Sequence, residues 1–424
     1  MNQFTASLWG DEGFSAILSM KPVDQIFSII SRDTSPPLYN LIEHFWFKII
    51  GTSEISIRSL SFVFFLIACL FVYKIGKHYW DYKTGILAAV LTAINPFFFF
   101  YAFEGRMYSL LAMTVTASMY FFIAKKWPLY ILATTLALYT HHFAIFAVFV
   151  QGLWMIIQFL KGQQKTALAM FKSFLAIGLL YSPWLVPLYN QTKMVGGGFW
   201  LGTPTLKDFG MLLIKFFSVG ILLFLFRNWS KKKEVSVFLG LWLVFPIAAT
   251  WIISQKFSSI FFDRYLLYTI PAGILLFVSQ KTNLTKLWLV VVFTAYIFAS
   301  GYLFFHPTKL PFKQLATYVK QTQQPTDILI NEDAGSHKLW ESKYYGFVAP
   351  IYKPTGSQLP YFVGTALMEE SDFISEIPKS AKRIGVITFK SNQQLEEKFL
   401  GFKVQEQKTY GNLHFVWMQR LPIR

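Results

Sequence analysis

Apolar residues in the first 305 positions of the chain occur in long runs that are separated by short polar clusters. Most of these runs approach the roughly 20 residues that an α-helix needs to cross a bilayer. Their repetition along the chain predicts a polytopic α-helical membrane protein. We expect ten crossings, at about 55–73, 84–101, 107–123, 128–140, 143–160, 167–189, 210–226, 236–254, 265–280 and 287–305.

Lysine and arginine residues concentrate in alternate connections between these runs, at 74–83, 124–127, 161–165, 227–234 and 281–286. The positive-inside rule makes that side of the bundle cytoplasmic. The opposite side is then the external, periplasmic or extracellular face of a multi-pass cell-membrane protein. It receives the N-terminal 54 residues, the loops at 103–106, 139–142, 193–204 and 254–264, and the whole tail after His306.

The N-terminal 54 residues are predicted to be an external first loop that is pinned to the membrane surface. An amphipathic helix is expected to follow Pro36 and Pro37, as in helices that lie in the membrane interface. Its apolar stripe consists of Leu38, Ile42, Phe45 and Ile49, with Asn40, Glu43 and Lys48 elsewhere. The first fifteen residues have neither a basic n-region nor an apolar h-region, so no cleavable signal peptide is predicted. An external N-terminus then requires either translocation of a short tail by the first hairpin or a preceding membrane helix.

The tail, 306–424, contains fewer apolar residues and charges of both signs. Two β-like runs lie at 327–331 and 383–389, and two helix-like segments lie at 311–321 and 391–402. A hairpin is expected at 403–420. This alternation predicts a small α/β external domain. Because it shows no phosphate-binding glycine loop, metal-ligand spacing or nucleophile elbow, a structural or acceptor-contacting lid is favoured over a second active site. The predicted units are the first loop 1–54, the helical bundle 55–305 and this domain.

Composition supports the membrane assignment and excludes one class of partner. The chain is 54% hydrophobic and 14% charged, whereas soluble domains carry roughly 25% charged residues. The tail holds 15 of the 39 basic and 11 of the 22 acidic residues, and much of the remaining basic excess lies in the cytoplasmic turns. The net charge of +17 therefore reflects topology and lipid headgroups, and no nucleic acid partner is expected. Cys69, the single cysteine, excludes an intrachain disulfide.

Ionisable residues near a membrane are costly, and those that gather on one face are candidates for function. On the external face they are Asp11, Glu12, Asp33, Glu43, His44, Glu54, Glu104, Arg106, His141, His142, Asp263 and Arg264. External loops of a bundle converge on one surface, so these side chains are predicted to line one outward-facing cavity, together with Tyr108 and Tyr265. Carboxylates supply proton acceptors, and arginines and histidines supply contacts for a phosphate.

Five segments resemble, in order and separation, the membrane glycosyltransferases of the GT-C superfamily. They are "LWGDEGFSAIL" (8–18), "DTSPPLYNLIEHFWFKIIG" (33–51), "EGRMYSLL" (104–111), "LYTHHFAIF" (138–146) and "FFDRYLLYTIPA" (261–272). Within that superfamily the segments are similar to those of the protein O-mannosyltransferase-like and aminoarabinose-transferase-like enzymes. The resemblance covers most of the membrane part and implies a GT-C type bundle. It also implies transfer of a sugar, such as a mannose-like one, from a polyprenyl-phosphate donor.

The resemblance assigns roles to several residues. Asp11 acts on the acceptor as general base, with Glu12 beside it, and Glu104 helps to form the catalytic site. The leaving lipid phosphate needs fixed cations, for which the forked donors of Arg106 and Arg264 are suited. Attack opposite the phosphate inverts the anomeric centre. The partners are a polyprenyl-phosphate sugar, membrane lipids and an acceptor that is a protein, lipid or glycan.

Each assignment has a structural alternative. Asp11 and Glu12 also fit a helix cap or a solvated turn, and Glu104 with Arg106 also fits a local ion pair. His141 and His142 fit an interhelical hydrogen bond better than a metal pair, because adjacent histidines on a helix point in different directions. Further alternatives place Tyr108 and Tyr265 in an interfacial aromatic belt and let Asp263 orient Arg264.

Two other functions remain open. One is a transporter or flippase for lipid-linked sugars, although no internal repeat and no midplane charges of the kind common in transporters are seen in the sequence. The other is an inactive relative that binds lipid-linked sugar as a scaffold. No cofactor is certain, and no residue spacing decides whether a divalent metal is used.

Overall fold

The structure is a computed structural model that describes residues 1–221, 233–279, 283–332, 336–354 and 359–422. Helices dominate as far as residue 305. They are α1 (Gly10–Ser19), α2 (Val23–Ile30), α3 (Leu38–Ile50), α4 (Glu54–Tyr79), α5 (Tyr82–Ala93), α6 (Pro96–Tyr101), α7 (Tyr108–Ile123), α8 (Trp127–Thr140), α9 (Ala144–Leu160), α10 (Gln164–Tyr181), α11 (Leu185–Gly196), α12 (Leu206–Phe217), α13 (Lys233–Lys256), α14 (Asp263–Leu266), α15 (Ile270–Val278) and α16 (Asn283–Phe305).

The membrane character of the bundle follows from its long apolar helices. Within the described ranges, four helical stretches are long and apolar enough to cross a membrane: Glu54–Tyr79, Gln164–Gly196, Lys233–Lys256 and Lys286–Phe305. Shorter apolar helices are Tyr82–Ala93, Tyr108–Ile123 and Ala144–Leu160. The predicted polytopic helical membrane protein is confirmed. The number of ten crossings stays a prediction.

Two predicted crossings are interrupted by proline. The segment 84–101 divides into α5 and α6 because Pro96 lacks an N–H, and the side chain of Asn95 caps the new helix by accepting from Phe98 N–H at 2.9 Å. The segment 167–189 is interrupted by the 3₁₀ turn Ser182–Trp184, which contains Pro183. The described residues do not include 222–226, the end of the predicted crossing 210–226. They also do not include parts of the basic connections 227–234 and 281–286.

Helix α3 has its polar side turned into the protein. Asn40, Glu43 and His44 are buried, whereas Phe45 and Ile49 are 55% and 78% exposed. The Glu43 carboxylate accepts hydrogen bonds from Ser19 Oγ at 2.7 Å and Tyr39 Oη at 3.1 Å. An apolar outer stripe over a hydrogen-bonded inner face is the arrangement of a helix in contact with lipid, and it attaches α3 to α1.

The C-terminal part is a six-stranded sheet with helices on its faces, which confirms the predicted small α/β fold. The strands β1 (Ile328–Asn331), β2 (Ile351–Tyr352), β3 (Phe373–Ile374), β4 (Arg383–Thr388), β5 (Phe402–Tyr410) and β6 (Leu413–Arg420) have the order β3-β2-β1-β4-β6-β5. The first four pair in parallel, and β4-β6-β5 is antiparallel. Three helices, α17 (Phe312–Thr322), α18 (Ser336–Tyr344) and α19 (Asn392–Lys398), complete it. The sequence interpretation missed α18, β2 and β3.

Helix α18 lies directly against α1, and two glycines allow this close approach. A Cβ atom on Gly10 would come within 2.4 Å of the His337 Cα atom, and one on Gly13 within 3.0 Å of the Trp340 carbonyl oxygen. Side chains at these positions would therefore push the helices apart. The C-terminal part is thus seated on the same short helix that carries Asp11 and Glu12.

Candidate active site

Asp11 lies on the first turn of α1 between basic side chains from distant parts of the chain. Its Oδ2 atom is 3.2 Å from Arg264 Nη2, and its Oδ1 atom is 3.8 Å from His337 Nδ1. Burial disfavours the charged form, but Arg106, Arg264 and His337 outweigh it, so the pKa of Asp11 lies below its ordinary value. Asp11 is therefore an ionised carboxylate at neutral pH, and its side chain is 23% exposed.

Glu104 lies in the loop between α6 and α7, on the other side of the same arginine. Its Oε1 atom is 3.6 Å from Arg264 Nη1 and has no hydrogen-bond partner among the described residues. Burial raises the pKa of Glu104 to about 7, although Lys309 and Arg264 act in the opposite direction. Glu104 is thus a carboxyl group of this site whose charge changes near neutral pH.

Arg264 is held by aromatic rings as well as by the two carboxylates. Its guanidinium carbon lies 4.8 Å from the ring centre of Phe262, 5.3 Å from that of Tyr108 and 5.4 Å from that of Trp9. Its Nε atom is buried and has no hydrogen-bond partner in the described part of the chain. A weakly hydrated, oriented guanidinium with spare donors is suited to bind a phosphate.

Arg106 reaches the same place from the start of α7. Its Nη1 atom donates to Ser15 Oγ at 2.7 Å and to the Asp11 carbonyl oxygen at 3.4 Å. Its Nε atom is likewise buried without a partner among the described residues. Glu104 and Arg106 do not pair with each other in this region: the carboxylate faces Arg264, and Arg106 is bonded to α1.

Glu12, the second acid of the pair, is completely buried and fully hydrogen-bonded. Arg58 donates from Nε and Nη2 at 3.1 and 2.8 Å, Lys309 Nζ lies at 2.7 Å, and Gly105 N–H donates at 2.8 Å. Although burial opposes ionisation, Arg58 and Lys309 lower the pKa of Glu12 to about 2. Sequence reasoning missed both cations. Arg58 carried a signal, because it is a lone arginine at the start of an otherwise apolar run.

Two cavities lie close to Arg264. The first cavity, of about 490 Å³, lies between the bundle and the C-terminal part and is lined by Trp9, Gly10, Phe100, Tyr101, Glu104, Arg264, Thr308, Lys309, Leu310, His337, Lys338, Glu341 and Phe389. The second cavity, of about 400 Å³, is largely apolar and includes Arg106, Tyr108, His141, His142, Gln191 and Tyr265 in its lining. Arg264 lies in the wall of the first, and its guanidinium carbon is 5.3 and 5.9 Å from the ring centres of Tyr108 and Tyr265, which line the second.

The two histidines lie in the lining of the second cavity and are uncharged there. His141 Nδ1 accepts a hydrogen bond from Phe143 N–H at 3.1 Å, and His142 Nε2 donates to Gln191 Oε1 at 2.8 Å. Burial lowers the pKa of His142 to about 4 and that of His141 well below its ordinary value. At neutral pH His141 can therefore donate from Nε2 to a phosphate, whereas the remaining Nδ1 atom of His142 can only accept, and the charge of a phosphate is left to the arginines.

Other external acids have local partners. Asp263 accepts from the Arg264 backbone N–H at 2.7 Å and pairs with Lys215 at 2.9 Å, so it does not hold the Arg264 guanidinium. Glu54 pairs with Lys313 at 3.0 Å, and His44 Nδ1 bonds the Ser19 carbonyl at 2.8 Å. Asp33 is buried in a small cavity that it shares with Asp11 and Arg106, and burial raises its pKa.

The described residues form no group of three or more histidine, cysteine, aspartate or glutamate side chains that could hold a metal ion. The carboxylates at the site face arginines and lysines instead, as with Asp11 and Glu12. This donor set does not fit a resident divalent cation.

Comparisons with known proteins agree with this architecture. Residues 34–186 match the model of the family described as dolichyl-phosphate-mannose-protein mannosyltransferase. The crystal structure of ArnT from Cupriavidus metallidurans in the apo state has the same fold, with a TM-score of 0.65 at 13% identity over 97% of this chain and 94% of that chain. The ArnT structure bound to undecaprenyl phosphate gives 0.64 at 13% identity over 98% and 94%. No curated protein matches significantly.

The family model covers residues 34–186, and the shared fold extends over nearly the whole chain. Both findings support the resemblance to the GT-C superfamily of membrane glycosyltransferases that is seen in the sequence.

Proposed function

We propose that the protein transfers a sugar from a polyprenyl-phosphate donor to an acceptor hydroxyl at the external membrane face, with inversion of the anomeric centre. One observation carries the proposal. The Asp11 carboxylate lies 3.2 Å from Arg264, which is in the wall of a charged cavity, and the Tyr108 and Tyr265 rings that face Arg264 line a largely apolar cavity. A proton acceptor and a phosphate-binding cation are thus in contact close to two spaces that each can hold a substrate.

Asp11 is the general base of the proposed reaction. The acceptor oxygen forms a bond to the anomeric carbon while its proton passes to the Asp11 carboxylate. The bond from that carbon to the phosphate oxygen breaks, and the lipid phosphate leaves with the electron pair. A positioned base of this kind contributes roughly 10²- to 10⁴-fold in rate.

The second cavity is proposed to bind the donor. Its largely apolar lining suits an isoprenoid chain, and Arg106 together with the nearby Arg264 supplies cations for the phosphate. Gln191 and the two neutral histidines add hydrogen-bonding groups. That ArnT, which has the same fold, has been crystallised with undecaprenyl phosphate supports a lipid phosphate as the donor class.

Glu12 is assigned a positioning role in place of the predicted catalytic one. Both of its oxygens are occupied by Arg58, Lys309 and the Gly105 N–H, and none of its surface is exposed. It fixes α1 relative to α4 and to the loop that carries Glu104. Asp11, one residue earlier, is thereby presented to the site.

The external location rests on the alternation of helix ends. Glu104 precedes α7 and His141 follows α8, whereas the basic connection 124–127 joins the opposite ends of these two helices. The same holds for the connections 74–83 and 161–165. Because basic connections are retained in the cytoplasm, the site and the C-terminal part are proposed to face outward.

A reconstituted transfer assay tests the proposed function. The purified protein in liposomes is given undecaprenyl phosphates that carry labelled mannose, glucose, galactose or aminoarabinose, together with glycoside and peptide acceptors. We expect labelled acceptor and released undecaprenyl phosphate for at least one donor. Arg264→Gln should lower the transfer rate about 10²- to 10³-fold, whereas the exposed Arg32→Gln should not. Labelled lipid that crosses the bilayer without transfer would favour a flippase, and binding without turnover a scaffold; either overturns the proposal.

The pH dependence of transfer should report Glu104. Because the pKa of Glu104 is about 7 in the folded protein, this group gains its charge as the pH rises through 7. Ionised Glu104 holds the Arg264 guanidinium group in position. Its negative charge also raises the proton affinity of Asp11 in the transition state. We therefore expect kcat/KM to rise with pH in a one-proton limb near pH 7. The Glu104→Gln variant should lose this limb; a limb that persists in the variant would assign it to another group.

A further inference from the structure

The first cavity has walls from two separate parts of the chain. The bundle contributes Tyr101, Glu104 and Arg264, and the C-terminal helix α18 contributes Lys338 and Glu341. Arg264 connects this space to Asp11. A molecule in the first cavity would therefore touch the reaction centre at one end and α18 at the other.

Glu341 is an unusual residue for a cavity wall. It is 4% exposed and lines the first cavity, and the described residues show no hydrogen bond to its carboxylate. Burial raises the pKa of Glu341 to about 8, although the Lys338 cation, one turn earlier on α18, acts in the opposite direction. At neutral pH the carboxyl group is thus protonated and can both donate and accept. A carboxyl group in a cavity wall without a protein partner is available to hydrogen-bond a ligand that enters the cavity.

Glu104, another residue in the wall of the first cavity, also has a carboxyl oxygen that is available to a ligand. Its Oε1 atom is buried and has no hydrogen-bond partner among the described residues. The rings of Trp9, Tyr101 and Phe389 also line the cavity. Carboxyl groups bind hydroxyls, and aromatic faces pack against the C–H faces of a saturated ring. This combination matches a polyhydroxylated ring.

The shape of the cavity also separates two acceptor classes. A volume of about 490 Å³ falls within the range of roughly 300–1,000 Å³ that is typical of small-molecule sites. An extended peptide would need partners for its own N–H and C=O groups, most simply an open sheet edge. The edge strands β3 and β5 contribute none of the residues found in the wall of this cavity.

We propose that α18 forms the acceptor subsite of the enzyme and that Glu341 selects a carbohydrate acceptor over a polypeptide. The inference rests on the proposed function and adds the substrate class to it. Glu341 acts here as a specificity residue that hydrogen-bonds sugar hydroxyls. It is not expected to take part in cleavage of the donor.

The test compares two acceptor classes and two substitutions at Glu341. With the donor found in the transfer assay, kcat and KM are measured for methyl mannoside, galactoside and N-acetylglucosaminide and for an acetylated Ser/Thr hexapeptide. Slow hydrolysis of the donor without acceptor is recorded for each variant. We expect a methyl glycoside to be preferred about 10-fold or more. Glu341→Leu should raise its KM roughly 10- to 100-fold and leave donor hydrolysis unchanged.

Glu341→Gln should recover KM to within about 3-fold of wild type, because an amide donates and accepts as the protonated carboxyl does. The exposed Glu397→Leu on α19 is the matched control and should behave as wild type. Preference for the peptide, or an unchanged glycoside KM in Glu341→Leu, overturns this inference while the proposed function stands. A wild type that turns over no donor overturns both.

Discussion

Asp11→Asn is expected to lower kcat for sugar transfer about 10²- to 10⁴-fold, the largest effect on activity of any single substitution in this site. An amide has nearly the shape of a carboxylate but cannot accept the proton of the acceptor hydroxyl. The contact with Arg264 at 3.2 Å loses its ionic part. The guanidinium then becomes more available to the donor phosphate, so KM for the donor should stay equal or fall.

The division between kcat and KM separates two roles for this carboxylate. If Asp11 served only to hold Arg264, its loss would weaken donor binding and raise KM, with kcat less affected. The measurement is a full kinetic analysis of wild type and variant with the same donor. Asp24→Asn, in the exposed part of α2, is the matched control and should change neither constant. An Asp11→Asn enzyme that retains kcat within about 3-fold would exclude the proposed base.

Helices were predictable here because their signal is local. An apolar run of about 20 residues determines a membrane helix regardless of its neighbours. The helices α4, α9 and α13 lie at the positions that the hydropathy of the sequence predicted. The breaks at Pro96 and Pro183 were missed although proline marks them, because apolar flanking residues hid the interruption. The hairpin β5–β6 was likewise found from its alternation.

The elements that were missed depend on distant contacts. The α18 segment, "SHKLWESKY", has few apolar residues, and its position follows from packing on α1, more than 300 residues earlier. Strands β2 and β3 contain two residues each and exist only as parallel additions to β1. No local pattern contains this information.

The residues of the candidate site likewise include some that were predicted from the sequence and one that was not. Asp11, Glu104, Arg106 and Arg264 were named from a family resemblance and from their placement on one face, and the structure brings them together. Glu341 was not named, because a single glutamate in a polar segment looks like a solvated charge. Its burial against the bundle is what changes that interpretation.

Arg58→Met is expected to produce the largest loss of stability. Arg58 is fully buried and donates to both oxygens of Glu12, and to the carbonyl oxygens of Gln3, Ala6 and Ser7 at 2.8, 2.6 and 2.8 Å. Removal of one partner from a buried ion pair typically costs about 3–5 kcal/mol, because the other charge stays buried. Here Glu12 would keep only Lys309 as a cation, and three buried carbonyl groups would lose a donor.

The expected result is a marked fall in the thermal unfolding temperature in detergent, with early protease cleavage of the first loop and loss of transfer as α1 leaves the site. Arg32→Met is the matched control, since Arg32 is exposed and donates to the Ser28 carbonyl at 3.2 Å. A double variant with Glu12→Gln should lose less than the sum of the two single variants, because the amide removes the stranded charge. Equal stability of Arg58→Met and Arg32→Met would show that the buried pair does not hold α1 in place, and Asp11 would then need another anchor.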